Sequence, residues 1–149
     1  MIIVNVRRMI DSGIELDKLS PMVDYFLNYV ISHAMVSGKV ENWVTIFDLR
    51  NVGVTQIPRD RIQGIVKSMG KNYRGRLFRF FATDVTLLVR GVWKMAHKFV
   101  DEFTNKKLLI FGNDYGKELL ELMDEDCLEE KYGGKQPNKT DNFWPPQFS

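Results

Sequence analysis

The sequence predicts an α/β domain with a mostly parallel sheet and flanking helices. Two patterns carry this prediction: short runs of β-branched and aromatic residues, and longer stretches in which apolar residues recur at helical spacing. They alternate as β, α, β, α, β, α, β, α, and strands that are separated by helices pair in parallel. The length adds a third observation, since 149 residues correspond to one domain.

The first strand and the first helix are expected near the start of the chain. An extended apolar pattern predicts a strand over residues 1–9. Ser20 and Pro21 predict a helix start, with serine as the N-cap and proline at the first helical position. This helix is expected to end near Val36 and to be largely buried, because apolar residues cover much of its circumference.

The remaining elements follow from the same two patterns. In order they are a buried strand over 43–49, an amphipathic helix over 57–73, a strand over 77–82, a long helix over 85–103, a strand over 107–111, and a short helix from 114 or 115 to 123. The apolar stripe of the long helix is Leu88, Val92, Ala96, Phe99, Val100 and Phe103. Glycine, proline, asparagine and lysine dominate from Tyr132 onward, which predicts little regular structure there.

Composition is that of an ordinary soluble globular protein, with 44% hydrophobic and 27% charged residues. The single cysteine, Cys127, excludes an internal disulfide and fits a reducing compartment. No apolar run approaches the ~20 residues that cross a bilayer. The apolar start precedes Arg7 and Arg8 instead of following them, unlike a signal peptide. We therefore expect a cytoplasmic protein.

Charge is divided along the chain although the formal net charge is only +2. Residues 50–107 contain 13 lysines and arginines against four acids, whereas residues 114–130 contain eight acids against one base. A basic middle suggests an anionic partner such as phosphate headgroups, a membrane surface or nucleic acid. Basic residues that only solvate helix faces would give the same composition, so charge alone leaves both interpretations open.

Motifs of nucleotide-binding and hydrolytic enzymes do not occur. The sequence has no Gly-x-Gly-x-x-Gly fingerprint, no phosphate-binding loop and no Gly-x-Ser-x-Gly turn. His33, His97 and the one cysteine have no zinc-ligand spacing. Asp48 ends a strand, but no base or nucleophile accompanies it. We expect no catalytic residue, no metal and no cofactor, and hence a protein that is not an enzyme.

The order of five segments resembles the CRAL-TRIO lipid-binding domain family. These are VTIFDLRNVGV, NYRGRLFRFFATD, the long helix after it, FTNKKLLIFGND and ELLELMDEDCLEEKYGGK. The chain is most similar to the secretory phosphatidylinositol/phosphatidylcholine-transfer branch. The resemblance covers residues 1–135, which leaves 136–149 as an irregular C-terminal tail. It implies a small sheet as the floor of a deep apolar pocket, closed by a mobile gate helix, in a lipid carrier. Gly133 and Gly134 are then interpreted as structural.

The resemblance also implies site residues. Trp43, Thr45 and Phe47 match strand positions that face the pocket, since alternate residues of a strand share a face. The expected lipid-pocket lining is Trp43, Thr45, Phe47, Phe80, Phe81, Val92, Phe99 and Phe103. Thr104 and Lys107 match a Thr-x-x-Lys pair that contacts inositol phosphate, a role that suits an ammonium beside a hydroxyl. Positive charge nearby comes from Arg74, Arg76 and Arg79.

Several positions depart from the family pattern. Trp43 replaces a hydroxyl residue near the choline headgroup, and Gly75 replaces an acidic residue that helps to hold inositol. The gate segment, residues 93–107, carries His-Lys-Phe-Val where a Lys-Pro-Phe-Leu is usual. Without that proline we expect a straighter or stiffer helix. The N-terminal helical lobe of the family is not matched. Two interpretations stay open: the chain is a fragment of a longer protein, or a second chain covers the side where that lobe would lie.

The predicted function is binding and transfer or presentation of a hydrophobic ligand, foremost a phospholipid of the phosphatidylinositol type, at membrane surfaces. Phe99 and Phe103 of the gate would touch acyl chains while Lys94 and Lys98 meet anionic headgroups. The alternative is a CRAL-TRIO-like protein-interaction module that binds no lipid. Nucleic-acid binding is disfavoured, because the basic residues are scattered over several elements without a known motif.

Overall fold

The computed structural model contains a four-stranded parallel sheet whose strands follow chain order. Strands β1 (Ile2–Asn5), β2 (Trp43–Asp48), β3 (Leu77–Thr83) and β4 (Leu108–Ile110) pair as β1-β2-β3-β4. The structure describes residues 1–57, 59–73 and 75–143. The predicted α/β fold with a parallel sheet is confirmed.

In the described part of the chain, five helices lie between successive strands, and a sixth follows β4. They are α1 (Val6–Asp11), α2 (Leu16–Ala34), α3 (Arg59–Asn72), α4 (Leu87–Ala96), α5 (Glu102–Asn105) and α6 (Gly116–Leu120), with 3₁₀ turns at Val54–Gln56, His97–Phe99, Glu125–Cys127 and Glu130–Tyr132. Two compact units divide the chain: residues 1–112 contain the whole sheet, and residues 113–149 contain α6 and the last two 3₁₀ turns. The assignment of 1–135 to one domain and 136–149 to a tail stays a prediction.

One face of the sheet carries the crossover helices. Towards the amino ends of β1 and β2, Ile2 and Trp43 form a buried cluster with Leu27 and Val30 of α2 and with Tyr73 after α3. A second cluster joins Ala82 of β3 to Val85 and to Val89 of α4. Helices on a single face are expected, because right-handed crossovers between parallel strands in chain order all lie on the same side.

The other face of the sheet is also removed from solvent. Ile46 and Phe81 are fully buried, and the Phe81 ring stacks on Phe111 with centroids 6.1 Å apart. The inclusion of Phe81 in the pocket lining was therefore wrong. Adjacent residues of a strand point to opposite faces, so Phe80 and Phe81 do not line one pocket.

The first strand is shorter than predicted. It ends at Asn5, whose side chain accepts a hydrogen bond from the Arg8 backbone N–H at 2.9 Å and caps α1. An ion pair of 2.5 Å between Arg7 and Asp11, four residues apart, also favours helix over strand here. A cap at Asn5 thus overrides the apolar extended pattern of residues 6–9.

Helix α2 begins five residues earlier than predicted. Its N-cap is Glu15, and Pro21 lies inside the helix. The early start allows Leu19 to be buried, which compensates for the hydrogen bond that a proline cannot donate. The helix is also less enclosed than expected, because Met22 and Tyr25 are exposed.

The long helix predicted over 85–103 is broken into three pieces. Helix α4 ends at Ala96, a 3₁₀ turn covers His97–Phe99, and Asp101 has extended backbone and caps α5. The expectation of a straighter gate without proline was wrong, because a capping carboxylate offers the backbone an alternative to helix. The buried stripe also differs, with Val85, Val89 and Val92 inside and Leu88, Phe99 and Phe103 exposed.

Within residues 113–149, Leu119, Leu128 and Tyr132 are fully buried, and a tight turn at Gly133 and Gly134 follows Tyr132. Gly133 has a φ of +94°, which favours glycine, and a Cβ on Gly134 would overlap the Leu128 carbonyl. Both glycines therefore have a structural explanation, as interpreted from the sequence.

Candidate functional site

A cleft opens at the amino ends of β3 and β4 and is called the amino-end cleft below. Its volume is about 350 Å³, and it is lined by Asn42, Leu77, Phe78, Arg79, Phe103, Lys106 and Lys107. Three of these residues are cationic and two are aromatic, and no carboxylate lies among them. The arrangement suits a ligand that combines an anionic group with an apolar part.

Lys107 connects two walls of this cleft. Its ammonium donates a hydrogen bond to the Leu77 carbonyl at 2.6 Å and lies 4.5 Å from the centroid of the Phe103 ring. A lysine ammonium carries three donors, so donors remain for a further acceptor. The contact with Phe103 adds a cation–π attraction that holds the ring over the cleft.

Thr104 does not face the cleft as a donor. Its hydroxyl donates to one oxygen of the Asp101 carboxylate at 2.6 Å, and its backbone N–H donates to the other at 2.9 Å. These hydrogen bonds, the hydroxyl first, lower the pKa of Asp101 below its usual value. A phosphodiester only accepts hydrogen bonds, so the Thr104 hydroxyl would have to leave Asp101 to bind one.

The predicted headgroup cations are not brought together. Arg76 donates to the Glu41 carbonyl at 3.1 Å and is absent from the cleft lining. Arg74 lies outside the described residues. Arg79, noted from the sequence as nearby charge, does line the cleft, and so does Lys106, which sequence reasoning did not assign. The only signal for Lys106 was its position beside Lys107.

The predicted pocket residues fall into separate groups. Trp43 is buried in the cluster with Leu27 and Val30, with its ring centroid 5.9 Å from that of Tyr73. Thr45 is buried and pairs in register with Phe80. Val92 is buried on α4, whereas Phe99 and Phe103 are exposed on the gate segment.

Phe47 and Phe80 do lie together. They form a row with Trp93, which was not predicted as a pocket residue. The ring centroids of Phe47 and Phe80 are 4.9 Å apart, and the Phe80 ring stacks on Trp93 of α4 at 5.9 Å. Trp93 also borders a second cleft, of about 420 Å³, together with His97, Glu102, Asn105 and Lys106. Residues of α5 and its C-cap Lys106 border both clefts.

The carboxyl ends of β2 and β3 have a different character. Asp48 is only 2% exposed and accepts from the Arg50 backbone N–H at 3.0 Å. The Arg50 guanidinium lies 3.3 Å from the Asp84 carboxylate. Among the residues that the structure describes, no group of histidine, cysteine and acidic side chains is arranged to hold a metal ion. The same residues include no helix that is long and apolar enough to span a membrane.

Comparisons with known proteins agree on one family. The family model described as CRAL/TRIO domain matches residues 1–134. The phosphatidylinositol/phosphatidylcholine transfer protein SFH12 of Arabidopsis thaliana is 34% identical over 98 residues, which are 64% of this chain and 18% of that protein. The Sec14 cytosolic factor of Schizosaccharomyces pombe is 31% identical over 99 residues, 65% of this chain and 35% of that protein.

A solved structure supports the same assignment. The crystal structure of Sfh5 matches with a TM-score of 0.54 and 26% identity, covering 63% of this chain and 34% of that one. The matched regions thus span 18% to 35% of the length of these relatives. Because the family model covers nine-tenths of the sequence, the chain belongs to the CRAL/TRIO domain family.

Proposed function

We propose that this domain binds a phospholipid of the phosphatidylinositol type and transfers or presents it at membrane surfaces, as a carrier without catalytic groups or a cofactor. The observation that carries the proposal is the amino-end cleft, where the Lys107 ammonium lies beside the Phe103 ring in a member of this family. The names of several relatives, phosphatidylinositol/phosphatidylcholine transfer proteins, support the lipid class.

The phosphate would bind at Lys107, with Arg79 and Lys106 contributing charge. Lys106 already pairs with Glu102 at 2.9 Å, but both side chains are exposed and such pairs are weak. Lys107 is half-buried, and its acceptor among the described residues, the Leu77 carbonyl, is neutral, which leaves its charge available to a ligand. Thr104 joins this group only when its hydroxyl is released from Asp101.

The acyl chains would lie along the row of Phe47, Phe80 and Trp93, on the face of the sheet that carries the helices. Burial of an acyl chain contributes ~0.8 kcal/mol per methylene. Entry requires the gate segment to move away from this row. Neither α5 nor the 3₁₀ turn before it contains a buried residue, so this part of the gate moves without uncovering a core side chain.

At a membrane the gate segment would be the part that opens. Phe99 and Phe103 are exposed on it and would touch acyl chains, and the exposed Lys94 and Lys98 would meet anionic headgroups. On this proposal, the segment that opens the site is also the segment that contacts the donor bilayer.

The test is native mass spectrometry of the purified protein, followed by solvent extraction and lipid mass spectrometry. We expect one phospholipid per chain, and about tenfold less phosphatidylinositol retained by Lys107→Met, because a hydrogen bond to a charged group is lost. Lys39→Met, at an exposed position before β2, is the matched control and should retain the lipid. A lipid-free mass with no uptake from mixed vesicles would contradict the proposal.

A protein-interaction module is the second candidate, and the packing of Trp43 favours it. This residue was expected to face a lipid, yet it is buried among α2 side chains and Tyr73. A module of this kind would give the lipid-free mass in the same experiment. Its thermal stability would be unchanged by incubation with phosphatidylinositol vesicles, whereas a lipid carrier should be stabilised by binding its ligand.

A further inference from the structure

Strand β3 contains a register shift that turns a phenylalanine out at the mouth of the amino-end cleft. Trp43 pairs with Leu77 and Val44 pairs with Arg79, so Phe78 has no partner in β2. An extra residue in one strand of a pair interrupts the ladder and re-aims its side chain. Phe78 is 48% exposed, although it lies in a strand whose later aromatic residues are half-buried or buried.

A second exposed ring lies on the opposite wall of the same cleft. Phe103 of α5 is 68% exposed and lines the cleft together with Phe78. Each ring has a cation beside it: the Arg79 guanidinium is 5.4 Å from the Phe78 centroid, and the Lys107 ammonium is 4.5 Å from the Phe103 centroid. Lys106 adds a third cation. We call this group of residues the rim; it consists of Phe78, Phe103, Arg79, Lys106 and Lys107.

We propose that this rim is the surface by which the domain docks on an anionic bilayer. The two rings enter the interfacial region while the three cations meet lipid phosphates, an arrangement in which apolar burial and electrostatic attraction add. The proposal deepens the proposed function, because it names the membrane and the face that meets it. It rests on the proposed function only for the choice of a lipid surface as the anionic partner.

The positive charge of the rim favours a partner surface of negative charge. No carboxylate is among the described residues that line the cleft, and Asp101 accepts from Thr104. Glu102 pairs with Lys106, but this ion pair is exposed and weak, so Lys106 can exchange it for a lipid phosphate. Nucleic acid is also anionic and stacks on aromatic rings. Here, however, a protein cation already covers one face of each ring, and Leu77 adds an aliphatic wall, which suits hydrocarbon better than bases.

The experiment is vesicle co-sedimentation of the full chain. Vesicles of phosphatidylcholine alone are compared with vesicles that contain about one-fifth phosphatidylserine. Phe78→Ser is expected to bind the anionic vesicles about tenfold more weakly, because an inserted ring is lost. Arg79→Gln combined with Lys106→Gln is expected to remove the preference for anionic vesicles. Tyr25→Ser is the matched control, since Tyr25 is 64% exposed on α2 with no role in the rim, and it should bind as the unaltered chain does.

Two further readouts keep the outcomes distinct. Extracted lipid is measured on every variant, so weaker vesicle binding by Phe78→Ser supports docking whether or not the chain carries a ligand. A lipid-free chain that still docks through Phe78 would overturn the proposed function and leave this inference standing. Equal vesicle binding by Phe78→Ser and Tyr25→Ser would overturn the inference, as would binding to a single-stranded oligonucleotide in place of vesicles. Circular dichroism excludes misfolding as the cause of a loss.

Discussion

At the carboxyl ends of β2 and β3 charged side chains satisfy one another, whereas at the amino ends of β3 and β4 they face an open cleft. Asp48 is buried and accepts from backbone, and Arg50 pairs with Asp84. At the other end, the contacts of the Lys107 ammonium within the described part of the chain are a neutral carbonyl and an aromatic ring. Polar groups that are already satisfied stabilise a fold, whereas groups with remaining donors bind ligands. If the proposed function holds, one end of the sheet stabilises the fold and the other binds the ligand.

The largest effect should come from the closed end. Asp48→Ala removes the acceptor of the Arg50 backbone N–H from a site that is nearly inaccessible to water. We expect a loss of about 2–3 kcal/mol in the free energy of unfolding, measured by urea titration. Glu102→Ala is the control at the open end, where an exposed ion pair should contribute less than about 0.5 kcal/mol. Equal losses of unfolding free energy in Asp48→Ala and Glu102→Ala would contradict the difference between the two ends of the sheet.

An intermediate effect is expected beneath the open cleft, where Tyr73 supports Trp43. The Tyr73 hydroxyl donates to the Asp24 carboxylate at 2.9 Å. Burial, and then this hydrogen bond and the carboxylate charge, raise the pKa of Tyr73 to about 12. Tyr73→Phe should cost about 1 kcal/mol of unfolding free energy at neutral pH.

The raised pKa also predicts a pH dependence. The unfolded chain ionises Tyr73 near the ordinary tyrosine pKa of 10.0, while the folded chain keeps the proton to about 12. The contribution of Tyr73 is therefore fully present below pH 10 and is lost as the pH rises towards 12. Thermal unfolding of the parent chain and of Tyr73→Phe across this window measures the difference. Parallel curves would show that Tyr73 does not titrate differently on folding.

The smallest effect concerns the cap of α5. Asp101→Ala removes the acceptor of two hydrogen bonds from Thr104. We expect the free energy of local unfolding of α5 to fall by about 0.5–1 kcal/mol, with no change elsewhere. Amide hydrogen exchange at Thr104 should become faster while exchange in β2 and β3 stays unchanged. Because the folded pKa of Asp101 is lowered, its stabilisation is present above the unfolded pKa and is lost as the pH falls through the folded one. Exchange that is unaltered by both the substitution and acid would show that the cap does not hold α5.

Sequence reasoning predicted the sheet well, because strand period and intervening helices leave few topologies for a chain of this length. It failed where one polar side chain redirects the backbone. Asn5 ends β1 by capping α1, and Asp101 interrupts the long helix by capping α5. In both places the apolar pattern continues through the break, so periodicity alone does not reveal it.

Only some residues of the candidate cleft could be named from the sequence, and their role in binding stays a prediction. The Thr-x-x-Lys pair led to Lys107, which does line the amino-end cleft. Phe78 was not assigned, because its exposure follows from a register shift between β2 and β3 that has no sequence signature. Thr104 was expected to act as a donor to phosphate, but its hydroxyl hydrogen is already given to Asp101. Hydrogen-bond accounting of this kind requires coordinates.

The strand order also bears on how the molecule is made. Since β1, β2, β3 and β4 are neighbours in chain order, each strand leaves the ribosome after the strand it must pair with. The sheet can therefore grow by one βαβ unit at a time during synthesis, without waiting for a distant segment. The last strand to join is β4. It is three residues long and directly follows Lys107. The end of the sheet that we propose for recognition is thus finished last, and an interrupted synthesis would yield a sheet without the amino-end cleft.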